Sequence, residues 1–235
     1  MFRYQILIEY VGTSFIGWQV QTKGKSIQGL IQKKISNLLS EKITLIGSGR
    51  TDSGVHAIEQ SAHFDITEKI QNLNKYEIAI IKIKRKNMKF HARFSAKERV
   101  YKYVIFNQLS KPILQNKRGW FVIKNLELEI MKKAAKKLIG TQDFSTFRAS
   151  GCNSKSPIRS IKSVKIKKIK NKIELEFRSQ SFLKQQVRSI VGCLKYIGEK
   201  MWTLKKFISV IKSKNRILCA PPAPAEGLFL KKVLY

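Results

Sequence analysis

Polar and apolar positions alternate at the start of the chain. Tyr4, Ile6, Ile8 and Tyr10 fall on one face and Gln5 and Glu9 on the other, the period-two pattern of a half-buried strand, which Gly12-Thr13-Ser14 ends. A different period follows. Behind Ser26, a residue suited to cap a helix, Ile27, Leu30, Ile31, Ile35, Leu38 and Leu39 form a helical stripe. Residues 43–46 predict a short apolar strand running into Gly47-Ser48-Gly49. Ile58, Ala62, Phe64 and Ile66 mark another strand, and residues 78–83 a further one.

The later part opens with residues 100–106, where Tyr101, Tyr103 and Ile105 alternate with Val100, Lys102, Val104 and Phe106. Both faces are apolar, as in a strand central to its sheet. Leu128, Met131, Ala134, Ala135 and Leu138 predict a helix over 128–139. Strands at 161–169 and 173–177 pair around Lys170-Asn171-Lys172. Helices at 182–197 and 204–211 precede the loop Pro221-Pro222-Ala223-Pro224, and the last strand covers 228–233. Both parts read strand, helix, strand, strand. The pattern predicts a protein of the α/β (α+β) class in two halves, 1–96 and 97–235, each a sheet backed by helices on one face.

Composition narrows the function. The 235 residues carry 47 Lys and Arg against 15 Asp and Glu, a formal net charge of +32. Hydrophobic residues make up 43% of the chain, enough to bury a core rather than remain disordered. A charge so far from zero points to a polyanion, nucleic acid first. Part of the surplus has a compositional source, because Lys, Ile and Asn are all frequent. The distribution is uneven: residues 1–96 hold 15 basic and 7 acidic side chains, residues 97–235 hold 32 and 8. The later half is therefore expected to supply most phosphate contacts. No stretch reaches the length of a membrane span, and the first residues lack a signal-peptide layout. Three scattered cysteines, Cys152, Cys193 and Cys219, give no basis for a disulfide framework or a zinc site. The dinucleotide fingerprint and the P-loop are both missing, so no cofactor is expected. These features describe a reduced, cytoplasmic protein.

The densest polar cluster is Gly49-Arg50-Thr51-Asp52-Ser53-Gly54-Val55-His56, in a loop between two predicted strands. Taken alone, it is equally a tight turn, since Asp and Ser before Gly are ordinary turn residues. Eight residues in a row, followed by Ala57, resemble the signature loop of the tRNA pseudouridine synthase A (TruA) family. Other blocks follow the family in order: Tyr10-Val11-Gly12-Thr13-Ser14-Phe15, Gly17-Trp18-Gln19, Ser26-Ile27-Gln28, Phe90-His91-Ala92-Arg93-Phe94-Ser95-Ala96 and Arg99-Val100-Tyr101-Lys102-Tyr103. Asp143-Phe144-Ser145-Thr146-Phe147, Phe182-Leu183 with Gln186-Val187-Arg188, and Ala223-Pro224-Ala225-Glu226-Gly227-Leu228 complete the series. The sequence departs from the pattern at Ser53, at Lys184, at Asn72-Leu73-Asn74 and in a shortened segment before Phe90. None of these removes a catalytic group.

The resemblance implies a specific chemistry: uridine becomes pseudouridine in the anticodon stem-loop of tRNA, at positions 38, 39 and 40. It implies Asp52 as the catalytic carboxylate, with Tyr101 stacked on the target base. Arg188 would keep Asp52 ionised, Arg50 would fill the stack vacated by the flipped nucleotide, and Leu228 would pack on the base. For the fold it implies largely antiparallel sheets joined into one, with a catalytic cleft between the halves. It further implies a homodimer with tRNA lying across both subunits, and neither metal nor cofactor.

Each residue also has a plainer reading. Tyr101 is a core residue on an apolar strand, Arg188 one more cation on a helix face, Arg50 a salt-bridge partner within its loop, and Leu228 the first residue of the last strand. His56, His63 and His91 with Asp65 match no familiar metal spacing, and His56 and His91 read as supports of the site. A different kind of protein also fits the aromatic strand: a non-catalytic RNA-binding module, its RRM-like sheet presenting Tyr101, Tyr103 and Phe106 to bases.

Overall fold

In a computed structural model that describes residues 1–67 and 79–235, the elements run β1 (Phe2–Tyr10), α1 (Ile27–Leu39), β2 (Ile46–Gly47), β3 (His56–Ile66), β4 (Ala79–Lys86) and β5 (Glu98–Asn107). They continue with β6 (Trp120–Val122), α2 (Leu128–Lys136), β7 (Gly140–Asp143), β8 (Ile158–Ile169), β9 (Lys172–Ser179), α3 (Gln186–Gly198), α4 (Leu204–Ser213) and β10 (Leu228–Leu234). Ile78 and the departure at Asn72-Leu73-Asn74 lie outside the described residues. The class is mixed α/β with mostly antiparallel strands, as predicted. Two compact units form: Met1–Arg99 with Phe229–Tyr235, and Val100–Leu228.

In the first unit, β1 lies antiparallel to β3, with Tyr4 opposite Phe64 and Ile6 opposite Ala62. β4 pairs with the other edge of β1, and β10 runs parallel to β3, with Phe229 opposite His56. The Ser26 hydroxyl accepts from the Gly29 amide at 3.2 Å, the expected cap, and α1 buries Ile27, Ile31 and Ile35. One prediction is corrected. Residues 43–45 form no strand, and only Ile46 and Gly47 join the sheet. Side chains of α1 take the place of a neighbouring strand. The Ile43 amide donates to Ser36 Oγ and the Leu45 amide to Gln32 Oε1, while Gln28 Nε2 donates to the Leu45 carbonyl. Ile43 and Leu45 are buried, so their apolar signal reported core packing, not ladder formation.

In the second unit the strand order is β5-β9-β8-β7, with β6 parallel to β5. β8 and β9 form the predicted hairpin, turning at Lys170 with φ +53°. Alternate residues Ile173, Leu175 and Phe177 of β9 are buried. α2 packs on β8, α3 and α4, and the helices lie on one side. α2 stops at Lys136, short of the predicted 139. The amides of Lys137, Leu138 and Ile139 each bond three residues back, tightening the chain before Gly140 at φ +105°. α3 begins at Gln186, not 182. Gln185 at φ +57° breaks the approach, and Gln186 Oε1 accepts from the Leu183 amide at 2.8 Å. β6 and β7, three and four residues long, are too short to show a period in the sequence.

Candidate active site

The loop from Ser48 to His56 is fixed at both ends. At its start the Ser48 amide donates to the Ser61 carbonyl at 2.8 Å, and Ser48 Oγ donates to Gln60 Oε1 at 2.8 Å. Gln60, fully buried on β3, also donates through Nε2 to the Gly49 carbonyl at 2.9 Å. Arg99, 8% exposed, turns its guanidinium onto the Ser48 carbonyl and donates to the Arg93 carbonyl at 2.9 Å. These buried donors satisfy carbonyls that a loop would otherwise leave orphaned.

Farther along, residues 10–18 clamp the loop. Thr51 Oγ1 and the Tyr10 hydroxyl are 2.9 Å apart, and the Trp18 amide donates to the Thr51 carbonyl at 3.0 Å. Asp52 forms an isolated antiparallel bridge with Gly17. That approach requires glycine: Gly17 sits at φ +119°, and a Cβ there would lie 2.8 Å from the Thr51 carbonyl oxygen. Ser53 Oγ donates to the Phe15 carbonyl at 3.1 Å, so the residue at which the sequence departs from the pattern ties the loop to that segment. The Val55 amide closes a turn onto the Asp52 carbonyl at 3.1 Å. Gly12 lies directly against Val55, and its amide donates to His56 Nδ1 at 3.1 Å. Buried His56 stacks on Phe229 with centroids 4.8 Å apart. Asp52 is half-buried, Arg50 exposed. Among the described residues Arg50 makes no ion pair, so the salt bridge within its own loop is not formed.

In the second unit Tyr101 is only 8% exposed and meets Phe182 edge to face, centroids 5.3 Å apart. Arg188, on the first turn of α3, donates through Nε to the Ala223 carbonyl at 2.7 Å, and the Ala223 amide returns a bond to the Arg188 carbonyl at 3.0 Å. The 221–224 loop fits closely against α3, because a Cβ on Gly192 would stand 2.0 Å from the Pro221 carbonyl oxygen. Leu228 opens β10 and is 6% exposed. Fully buried Tyr103 donates its hydroxyl to the Pro224 carbonyl at 2.8 Å, and burial pushes that phenol's pKa well above its usual value. Phe106 is also buried. Tyr103 and Phe106, enclosed in this way, cannot present their rings to bases, which leaves the binding-module reading without two of the three rings that it required.

A family model described as tRNA pseudouridine synthase matches residues 6–104 and 134–235. The chain belongs to that family. Its relatives agree over full length: the tRNA pseudouridine synthase A of Pelagibacter ubique (strain HTCC1062) is 64% identical over 246 residues, covering 100% of both chains. Those of Parvibaculum lavamentivorans and Sinorhizobium fredii are 37% and 39% identical, each covering 99% of both chains. Among solved structures, an archaeal box H/ACA sRNP Nop10-Cbf5 complex aligns with 80% of this chain and 44% of that one, at 8% identity and a TM-score of 0.36. That likeness adds nothing to the assignment. The family is one of isomerases, and the chain is an enzyme of that class.

Within this synthase, the three histidines act as hydrogen-bond acceptors. His63 Nδ1 accepts from the Ala92 amide at 3.1 Å, and burial, then Arg3 and His91, lower its pKa to about 4. His91 Nδ1 accepts from the amides of Arg93 and Phe94 at 3.2 and 3.3 Å. Among the described residues no group of three or more His, Cys, Asp or Glu is placed to hold a metal. Sequence reasoning missed Gln60 and Arg99 as supports of the signature loop. Gln60 gave a faint signal, a polar residue within an apolar strand, and Arg99 stood only as the first residue of the block that contains Tyr101.

Proposed function

We propose that this synthase isomerises uridine to pseudouridine in the anticodon stem-loop of tRNA, at positions 38, 39 and 40, with Asp52 as the catalytic carboxylate. The reaction breaks the N1–C1′ glycosidic bond and forms a C5–C1′ bond on the same base. The C5 proton leaves and a proton is gained at N1, so no redox or phosphoryl group is required. Asp52 acts at the ribose–base junction, either as nucleophile on C1′ or as the base that removes a ribose proton to give a glycal. The uridine is flipped out of its stack to reach it, at a cost of a few kcal/mol. Tyr101 stacks on the flipped base, Leu228 packs on it, and Arg50 fills the vacated position. Arg188 offsets the cost of a charged carboxylate held away from water.

The observation that carries this reading is the fixing of the Asp52 backbone by Gly17 on one side and the Val55 turn on the other. A loop that only binds has no need for a carboxylate held at one geometry, and a carboxylate repels phosphate. The surplus of cations in residues 97–235 supports RNA as substrate. A tRNA is larger than either unit, so two copies of the chain share one tRNA as a homodimer in the cytoplasm, and no metal or cofactor takes part. Pseudouridine mapping in tRNA from cells lacking this protein is expected to show loss at positions 38 to 40 only. Retention of pseudouridine at those positions would overturn the assignment.

A further inference from the structure

Among the described residues Phe94 is the one exposed aromatic side chain, 76% exposed on the turn between Phe90 and Ala96. Exposure of a ring has a cost in water, and this one is not on a loose tip. The turn is closed reciprocally: the Ser95 amide donates to the His91 carbonyl at 2.9 Å, and the His91 amide donates to Ser95 Oγ at 2.9 Å. His91 Nδ1 holds the amides of Arg93 and Phe94 from inside the turn. Burial and the neighbouring Arg3 and Arg93 lower the His91 pKa, which keeps the imidazole a neutral acceptor. The His91 ring lies against Phe94, with centroids 4.4 Å apart and planes 32° from parallel. The Arg93 guanidinium stands 5.5 Å from the centre of the Phe94 ring.

The turn is also anchored at both ends. Ala92 is tied from below, since its amide donates to His63 and its carbonyl accepts from the Tyr235 hydroxyl at 2.9 Å. Arg99 then joins the turn to the signature loop, because the same guanidinium serves the Arg93 carbonyl and the Ser48 carbonyl. A rigid ring that stays 76% exposed, with a cation over it, is the arrangement that accepts a nucleobase on its exposed part and a phosphate at the cation.

We propose that Phe94, backed by His91 and flanked by Arg93, is a stacking platform for an unpaired base of the RNA substrate, whose distance from the Asp52 loop is set by Arg99. The inference rests on the RNA-modifying function proposed above and names a contact outside the residues assigned to the reaction. A second copy of the chain covering Phe94 is the competing occupant; the adjacent Arg93 favours the anionic one.

The test measures the dissociation constant of an unmodified tRNA transcript at fixed salt for Phe94→Ala, Phe94→Leu and Phe94→Trp, with sedimentation of each variant. One aromatic–base stack corresponds to a loss of about 5- to 150-fold on truncation. The alanine and leucine variants are both expected to bind weaker by such a factor, and the tryptophan variant to bind within about twofold of the parent. Unchanged melting temperatures are expected from so exposed a site. Wild-type affinity in the alanine variant, or in the leucine variant, would overturn the platform, the latter by showing that apolar area alone suffices. Conversion of the alanine variant to a slower-sedimenting species with unaltered affinity per subunit would assign Phe94 to a protein contact and overturn it too. Failure of the parent chain to bind tRNA at all would instead remove the function on which the inference rests.

Discussion

Gly12→Ala probes the clamp on the Asp52 loop, whose catalytic role is proposed above. A Cβ at position 12 would lie 2.0 Å from the Val55 carbonyl oxygen and 2.6 Å from its carbon, whereas real contacts do not fall below 3.0 Å. Both obstacles are backbone, so no side chain can swing aside. Residues 12–15 or the Asp52–Val55 turn must shift by about 1 Å, the difference between 3.0 and 2.0 Å. The Val55 amide bonds the Asp52 main-chain carbonyl, so the shift is passed to the Asp52 backbone that carries the carboxylate. It also strains the Gly12 bond to His56. A misplacement of about 1 Å at a reacting group costs on the order of 10²-fold in rate, while overpacking costs about 1–3 kcal/mol of stability. Tritium release from tRNA labelled at uridine C5 gives kcat and KM together. The expected outcome is a kcat lowered about 10²-fold, with KM within about threefold because phosphate contacts dominate affinity. Gly140→Ala is the control: its φ of +105° strains alanine, but a Cβ there meets nothing within 4 Å. It should lose about 1–3 kcal/mol of stability and keep its kcat. A Gly12→Ala enzyme with the parent kcat would refute the clamp.

Three further outcomes follow from the same geometry. Arg99→Lys keeps the charge but loses the fork that spans two carbonyls, so melting temperature and kcat should both fall, kcat at least tenfold; equal activity in the two would show that Arg99 does not position the loop. His63 has a folded pKa of about 4, below its unfolded value, so the unfolded chain binds the extra proton between pH 4 and 6.5. Stability should therefore be complete above pH 6.5 and decline by on the order of 2–3 kcal/mol as the pH falls to 4; thermal melts of His63→Gln should show a flatter decline, and an unaltered slope would exclude His63 as the source. Affinity for tRNA should drop steeply between about 50 and 200 mM salt as counterion release loses its drive, and a flat response would show that the net charge of +32 is compositional.

The elements with a clear period were legible in the sequence. β1, α1 and the β8–β9 hairpin follow from alternation or a helical stripe, and Ser26 caps α1 as its position predicts. What the sequence hid depended on partners distant along the chain. Residues 43–45 look like a strand because Ile43 and Leu45 are buried, yet side chains from α1 take their backbone bonds. β10 joins β3 in parallel, and nothing local to residues 228–234 says which strand it will meet. For the site, the signature loop was legible as a motif, but its supports were not. Gln60 and Arg99 act through long-range bonds to backbone carbonyls, which leave no spacing pattern. Gly12 and Gly17 belong to the blocks that resemble the family, and only the approach of Val55 and Thr51 explains why glycine stands there.

Asp52→Asn removes the charge of the proposed catalytic carboxylate with almost no change of shape. Single-turnover release of tritium from C5-labelled tRNA, measured beside the affinity for that tRNA, separates chemistry from binding. Release is expected to vanish while affinity stays within about threefold of the parent. Continued release at the parent rate would contradict the role proposed for Asp52.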